Sequence, residues 1–446
     1  MRSSLKFWRF IHIWSGRIIV LFFLMWFVSG LVLIYHPYPK LTDKERYSRM
    51  PLYSEISSDS ITPRKDARTT ASEWLPNRII RVDTLTERSQ WVILPKYDED
   101  LPIYRFYYDD PKRTELFVSG KTGEPVQMTT KSQRIWSYFG AIPHKIYIPS
   151  LRRNTPLWKK VVTAGGILCF VAALSGFIEG IGILRRRYKR TGKIGNPYRK
   201  WPMRLHFGFG ICVGFFLITW GISGIFAMNK VPEWLSPTKN ELNISQTKFW
   251  GKKMAEDSLW RLIPENLKKQ YPLLKSFEKT HFGNFPAIKA VIDDSAYYFA
   301  GNLPYPQVME IPISAIEERV KSICGDSLEY TIEKSDRFTQ YYMPRLRGQA
   351  NLPVYEVKIA DSCHSTIYID PSDGYLRYIT DHKRIRKWLF EGLHYWNING
   401  LYTLKPLWTI LIWGACMSCM VVCITGVIVT CSKVGRSFGK VKHLST

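Results

Sequence analysis

The amino-acid sequence predicts an α+β membrane protein. Four transmembrane helices form two parallel repeats, each a helix, a small extracytoplasmic α+β domain and a second helix. Three observations predict this. Four long apolar runs interrupt the 446 residues, the short segments on one side of those runs are basic, and motifs recur at constant offset between the halves.

The apolar runs are Ile18–Tyr35, Val161–Leu184, Ile211–Met228 and Leu407–Thr430. Each has about 18 or more residues, which at about 1.5 Å per residue crosses a hydrocarbon core of about 30 Å. Helix is the expected form, because lipid offers backbone groups no other partner. The first run follows a basic start (Arg2, Lys6, Arg9), as a secretory signal would. It leads into HPYPKLTDKERY with no small-x-small cleavage site, so it reads as a retained helix.

The net charge of +26 does not point to nucleic acid, because of where the charge sits. Segment 185–204 carries nine Lys/Arg, the N-terminus three and the tail after Cys431 four, all without an acid. Such segments are what the positive-inside rule places in the cytoplasm. The expected division is 1–11 cytoplasmic, 12–36 first helix, 37–155 periplasmic domain, 156–184 second helix and 185–204 basic loop. It continues with 205–229 third helix, 230–404 second periplasmic domain, 405–431 fourth helix and 432–446 cytoplasmic tail. Both termini are then inside a bacterial inner membrane. Cys324 and Cys363 are the outside pair, open to one disulfide in an oxidising compartment. Cys416, Cys419 and Cys423 recur at helical spacing and read as small packing residues.

The repeat is visible directly. IHIWSGRIIVLFFLMWFVSGL from Ile11 matches LHFGFGICVGFFLITWGISGI from Leu205. At an offset of 194, His12 falls on His206, Gly16 on Gly210, and Ser29-Gly30 on Ser223-Gly224. At an offset of 250, His144 falls on His394, Pro156-Leu157-Trp158 on Pro406-Leu407-Trp408, and Ser175-Gly176 on Thr425-Gly426. In the outside domains PIYRF from Pro102 resembles PVYEV from Pro353, and LFVSGKTGEPV from Leu116 resembles IYIDPSDGYLR from Ile367. Each pair reads as strand, strand, a turn closed by Gly123 or Gly374, and strand. Helical stretches over Ala67–Leu75 and Ala315–Ile323 precede them. Lys248–Pro306 has no counterpart in the first half. Gly120-Lys121-Thr122 is not a phosphate loop, since Glu115 stands where its first glycine belongs.

Four of nine histidines occupy matched places. His12 and His206 stand at the cytoplasmic ends of helices one and three; His144 and His394 stand outside, before helices two and four. Parallel repeats related by an axis along the membrane normal bring such residues face to face. Imidazole is a good axial ligand for haem iron, so two pairs predict two b-type haems held without covalent attachment. Small residues fit a flat group. Gly16 and Gly210 lie one turn after their histidines. By helical rise, Gly176 and Gly426 reach the inner pair, and Gly30 and Gly224 the outer pair. Arg17 and Arg204 are candidates for haem propionates. A histidine at a membrane edge also serves as an interfacial polar residue, and small residues also serve helix packing. The recurrence of both at matched depth favours ligation. His36 breaks the repeat and reads as interfacial packing. His281, His364, His382 and His443 read as surface or structural, and Glu179 as an ion-pair partner of Arg185–Arg187.

With IHIWSG and RLHFGFG opening helices one and three, FEGLHYW before helix four, SG or TG within each helix, and the VSGKTGE and DPSDGY turns, the chain resembles the PepSY-associated transmembrane family. The resemblance covers nearly the whole chain; FGAIPHKIY around His144 departs furthest from the usual form. It implies PepSY-like periplasmic domains and a haem b-containing inner-membrane reductase of the ferric siderophore type. His12, His206, His144 and His394 match the family's histidines. Electrons from a quinol or a cytoplasmic reductase would be delivered to a periplasmic ferric chelate, releasing ferrous iron. Two other readings remain open: a membrane-anchored PepSY binding or regulatory protein without redox activity, and an iron-chelate permease.

Overall fold

The computed structural model describes residues 2–53, 66–251, 259–325, 327–346, 348 and 350–442. Helix α1 (Arg2–Tyr35) is followed by the short α2 (Asp43–Ser48) and α3 (Ala67–Trp74). The first sheet is β1 (Ile79–Leu85), β2 (Ile103–Tyr108), β3 (Glu115–Ser119) and β4 (Pro125–Thr129). Three short helices, α4 (Lys131–Phe139), α5 (Ala141–Lys145) and α6 (Pro149–Arg153), lead to the long α7 (Thr155–Thr191). Helix α8 (Trp201–Met228) opens the second half, followed by α9 (Gln246–Trp250) and α10 (Pro264–Gln270). Then come β5 (Leu274–Phe282), β6 (Phe285–Ile292), β7 (Ser295–Ala300) and α11 (Ile313–Cys324). The third sheet is β8 (Tyr330–Ser335), β9 (Val354–Ile359), β10 (Thr366–Ile369) and β11 (Leu376–Ile379). Helix α12 (Asp381–Arg386), a π-helical turn (Lys387–Gly392) and α13 (Leu393–Tyr395) lead to α14 (Lys405–Lys442).

Four helices among the described residues are long and apolar enough to cross a membrane: Ser4–Tyr35, Thr155–Thr191, Trp201–Met228 and Lys405–Ser432. Four crossings put segments 36–154 and 229–404 on the same side. The helices outrun their apolar cores. Helix α7 continues through Arg185–Arg190 and stops at Gly192, whose left-handed φ of 65° ends the helix. Helix α8 begins at Trp201 with Pro202 in its first turn. The connection between them is therefore 192–200, shorter than the basic segment.

The four long helices close a ring in which α1 packs on α7, α7 on α8, α8 on α14 and α14 on α1. Helices α1 and α8 thus lie across one diagonal and α7 and α14 across the other. Phe23, Phe27, Ala172, Leu217 and Cys419 meet in the ring's core. Cys416 and Cys423 share that core with Cys169, as small apolar packing residues. Glycines bring α7 and α8 close: a Cβ at Gly221 would lie 2.9 Å from the backbone of Phe170.

The outer segments carry antiparallel sheets. The first has strand order β1-β2-β3-β4 and the third β11-β10-β9-β8. Both are meanders, each preceded by one helix, α3 or α11. Helix α3 is capped by the Asp66 carboxylate, which accepts from the backbone N–H of Arg68 and Thr69. Gly123 and Gly374 have φ of 72° and 67°, the left-handed conformation those turns require. The segment without a counterpart, Lys248–Pro306, holds α10 and the three-stranded meander β5-β6-β7. Its hairpins turn on Gly283-Asn284 and Asp293-Asp294, with positive φ at Gly283 and Asp293. Cys324 and Cys363 are both buried and both free thiols, so the disulfide open to them is not formed.

The close α7–α8 approach makes a prediction. In Gly221→Ala the added methyl meets backbone, which cannot swing away, and overpacking of this kind costs about 1–3 kcal/mol. Gly414→Ala, whose Cβ meets nothing within 4 Å, is the matched control. Thermal unfolding in detergent should show a lower Tm for the first and an unchanged Tm for the second.

Candidate functional site

The diagonal of the ring brings His12 of α1 and His206 of α8 together, with ring centroids 6.0 Å apart and planes tilted by 41°. Neither imidazole points at random. His12 Nδ1 lies 3.0 Å from the carbonyl oxygen of Ala172 in α7. His206 Nδ1 lies 3.0 Å from the carbonyl oxygen of Val422 in α14. A carbonyl only accepts, so each Nδ1 carries the hydrogen and each Nε2 keeps its lone pair. This is how metal-ligating histidines are oriented: the far nitrogen donates to a fixed acceptor.

The small-residue pairs explain how an imidazole reaches a helix backbone. A Cβ at Gly176 would sit 2.5 Å from His12 Cε1, and one at Gly426 would sit 3.3 Å from His206 Cε1. Ser175 and Thr425 fold their hydroxyls back onto their own helices, donating to Val171 and Val421 at 2.6 Å, so they add no bulk.

The outer pair uses the other two helices' motifs in the same way. His144 on α5 and His394 on α13 have ring centroids 5.9 Å apart at 65°. His144 Nδ1 lies 3.3 Å from the Trp26 carbonyl and from Ser29 Oγ. His394 Nδ1 lies 3.0 Å from Ser223 Oγ. A Cβ at Gly30 would be 3.2 Å from His144 Cε1, whereas one at Gly224 would meet nothing within 4 Å. His394 is delivered by the π-helical turn and pinned by Trp220, whose indole Nε1 donates to the His394 carbonyl at 2.7 Å. The outer pair sits at the level of Trp26–Ser29, inside the apolar span of α1 and deeper than a membrane edge. From His12 that level is 14–17 residues along α1, about 21–26 Å. Phe23 lies between the levels and stacks on Phe27 at 5.8 Å, and Phe27, at the outer level, lies 5.3 Å from Trp220.

A cavity opens around the inner pair, lined by residues of all four long helices, with about 1340 Å³ of empty space including its mouth. Gly16 and Gly210 line it, and a Cβ on either would meet nothing within 4 Å. Arg17 reaches the cavity, with its guanidinium 5.3 Å from the Trp14 ring centroid. Arg204 is exposed and does not line it; its carbonyl accepts from Asn196. Arg9, Glu179 and Tyr198 line the mouth instead. Glu179 faces Arg9 at 3.8 Å, not Arg185–Arg187, because α7 carries those arginines further along its own axis. Glu179 had a signal in the sequence, as the one acid in α7; Arg9 and Tyr198 had none.

The remaining described histidines join neither pair. His36 stacks on Trp136 at 4.1 Å, His364 pairs with Asp381 at 2.6 Å, and His382 lies 2.9 Å from the Ser236 carbonyl. His281 is on β5, far in sequence from either pair. His443 lies outside the described residues.

The fold and site define a multi-pass membrane protein in which two histidine pairs are gripped by the backbone and hydroxyls of a four-helix ring. The family model described as the PepSY-associated TM region matches residues 9–287. That is 279 of 446 residues (287 − 9 + 1), more than half, and the chain belongs to this family. No curated protein matches the chain.

The glycines divide into two kinds with different consequences. Gly176→Ala forces His12 off its carbonyl and should lower the protein's thermal stability. Gly16→Ala and Gly210→Ala fill empty space and should leave that stability unchanged. Equal losses for all three would show that Gly16 and Gly210 serve helix packing.

Proposed function

We propose that the protein is a haem b-containing inner-membrane reductase that passes electrons to a periplasmic ferric chelate of the siderophore type. The observation that carries the proposal is the geometry of the two histidine pairs. Two imidazoles ligating one metal from opposite sides, each with a metal–nitrogen bond of about 2 Å and a ring centre about 1 Å beyond, hold their centroids about 6 Å apart. The inner and outer centroids are 6.0 and 5.9 Å apart. In His12 and His394 Nδ1 is committed to one carbonyl or hydroxyl, and in His206 and His144 to both kinds.

The donor set favours haem over a bare ion. Among the described residues no third His, Cys, Asp or Glu joins either pair as a metal group. A bare transition-metal ion takes four to six ligands, whereas haem brings four of its own. Gly16 and Gly210 leave a flat space beside the inner pair, and Arg9 and Arg17 stand at its rim as partners for carboxylates. When bound, haem supplies reversible one-electron chemistry at a potential set by its axial ligands and burial. The chain's own residues do the rest. The carbonyls of Ala172 and Val422 and the Ser29 and Ser223 hydroxyls fix the imidazoles. The apolar ring keeps water out.

The two halves act as one repeated unit in this reading, and their meander domains are the PepSY-like domains. The basic segments support a topology with both termini and residues 192–200 in the cytoplasm and both sheet domains in the periplasm. A quinol or a cytoplasmic reductase supplies the electrons. The substrate is ferric iron held by hard oxygen donors. One-electron reduction gives ferrous iron, which such donors hold less well, so the metal is released.

Purified protein should show a b-type spectrum with about two haems per chain, reduced by dithionite and reoxidised by a ferric siderophore. His12→Ala/His206→Ala should remove one haem and His144→Ala/His394→Ala the other. Gly16→Ala/Gly210→Ala should lose the inner haem while keeping its stability. Colourless protein after expression with ample haem overturns the proposal. It would favour an anchored regulatory module.

A further inference from the structure

The two halves differ at the approach to the outer histidines. At the offset of 250 that aligns His144 with His394, Lys387 falls on Ser137 and Glu391 on Ala141. At the offset of 251 that aligns the sheet turns, Arg377 falls on Val126. The first half carries neutral side chains at these three positions.

In the second half the charges are gathered and buried. Arg377 on β11 is 6% exposed and Lys387 on the π-helical turn 4%. Lys387 Nζ lies 3.5 Å from Glu391 Oε2 and 2.7 Å from Asn397 Oδ1. Arg345 Nε lies 3.5 Å from Glu391 Oε1. Arg377 donates to the carbonyls of Tyr341 and Met343 at 3.3 and 3.0 Å, with its guanidinium over the Tyr342 ring. It is close enough to Arg345 and Lys387 for the three cations to repel one another. Burial pulls both the Arg377 guanidinium and the Lys387 ammonium below their ordinary ranges.

The cluster is unbalanced. Three cations share one carboxylate, a surplus of two positive charges. Asp370 is committed to Asn351 and Ser372. Among the described residues, the Nε atoms of Arg345 and Arg377 are buried without a hydrogen-bond partner, and that of Arg345 has only its 3.5 Å ion pair with Glu391. Buried unpaired charge is costly, and guanidinium groups with open donors are the usual receivers of carboxylate oxygen. The cluster is also tied to the outer pair. Asn397, three residues after His394, donates its backbone N–H to the Glu391 carbonyl at 3.0 Å.

We propose that Arg345, Arg377 and Lys387 form a carboxylate-binding site beside His394. The ligand class is an anionic oxygen donor. Two sources share that chemistry: the carboxylates of a ferric chelate, and the propionates of a haem on the outer pair. The choice of ligand rests on the reductase reading; the site itself does not. Glu391 is then the internal anion that the ligand carboxylate competes with.

The test uses full-length protein in detergent and ferric citrate as the probe, followed by calorimetry. Arg345 is only partly buried, so Arg345→Gln should fold, which matched thermal unfolding checks. It should weaken ferric citrate binding about tenfold, the loss of one charge-assisted contact. Glu391→Gln removes the competing carboxylate and should tighten binding. A purely structural network does not move affinity in opposite directions. If a propionate is the occupant, citrate affinity stays constant in both variants. The outer haem's midpoint potential then falls in Arg345→Gln and rises in Glu391→Gln. Unchanged affinity together with unchanged potential overturns the site. Colourless protein whose citrate binding still responds to Arg345→Gln would overturn the reductase reading and keep the site.

Discussion

The donation of an imidazole N–H to a fixed acceptor on a neighbouring helix is the interaction on which the arrangement depends. Helix backbones normally consume their own carbonyls, and a side chain as wide as histidine cannot reach one past a Cβ. The glycine after each Ser or Thr removes that obstacle for His12, His144 and His206. The hydrogen bond then does two things at once. It fixes the ring's tautomer and plane, and it ties helices into the ring, α1 to α7 and α8 to α14. Net hydrogen-bond energies are only about 0.5–1.5 kcal/mol each, but an imidazole left unpaired in the same place costs more. The pairs are therefore stable only when every seat is in place.

Much of this was legible in the sequence because it is carried by residue type at constant spacing. His12 and His206, with Gly176 and Gly426 at the computed rise, could be put at one level without coordinates. The turn glycines marked the meanders for the same reason, since only glycine accepts their backbone. What was not legible was backbone geometry. Nothing in the sequence says that Ala172 and Val422 supply the acceptors, because any residue has a carbonyl. Nor does it say that a π-helical turn sends His394 inward, since one extra residue per turn leaves no compositional mark. Arg204 shows the limit of placing a long side chain by position. It lies two residues before His206, yet it projects from the first turn of α8 into solvent, while Arg9 comes from another helix to the cavity mouth.

The same limit hid the insertion. Lys248–Pro306 had no partner in the first half and so no pattern to compare with. Its three strands are set by local turn chemistry at Gly283-Asn284 and Asp293-Asp294 and by the apolar face of β6. The departure from symmetry near His394 is of another kind. Trp220 donates to the His394 carbonyl, whereas the matched Trp26 has its indole nitrogen buried without a partner among the described residues. Equivalent positions need not do equivalent work.

Each of α1 and α8 carries a histidine for one level and a seat for the other, separated by the same 17 residues, His12 to Ser29 and His206 to Ser223. Adding one residue to that interval would turn everything beyond it by about 100° and shift it by about 1.5 Å. One level would then lose its seat while the other kept it. The helices are in effect rulers with two marks, and their length between the marks is not free to drift. Growth in this architecture is confined to the loops beyond the bundle, which is where the second half has gained a whole additional sheet.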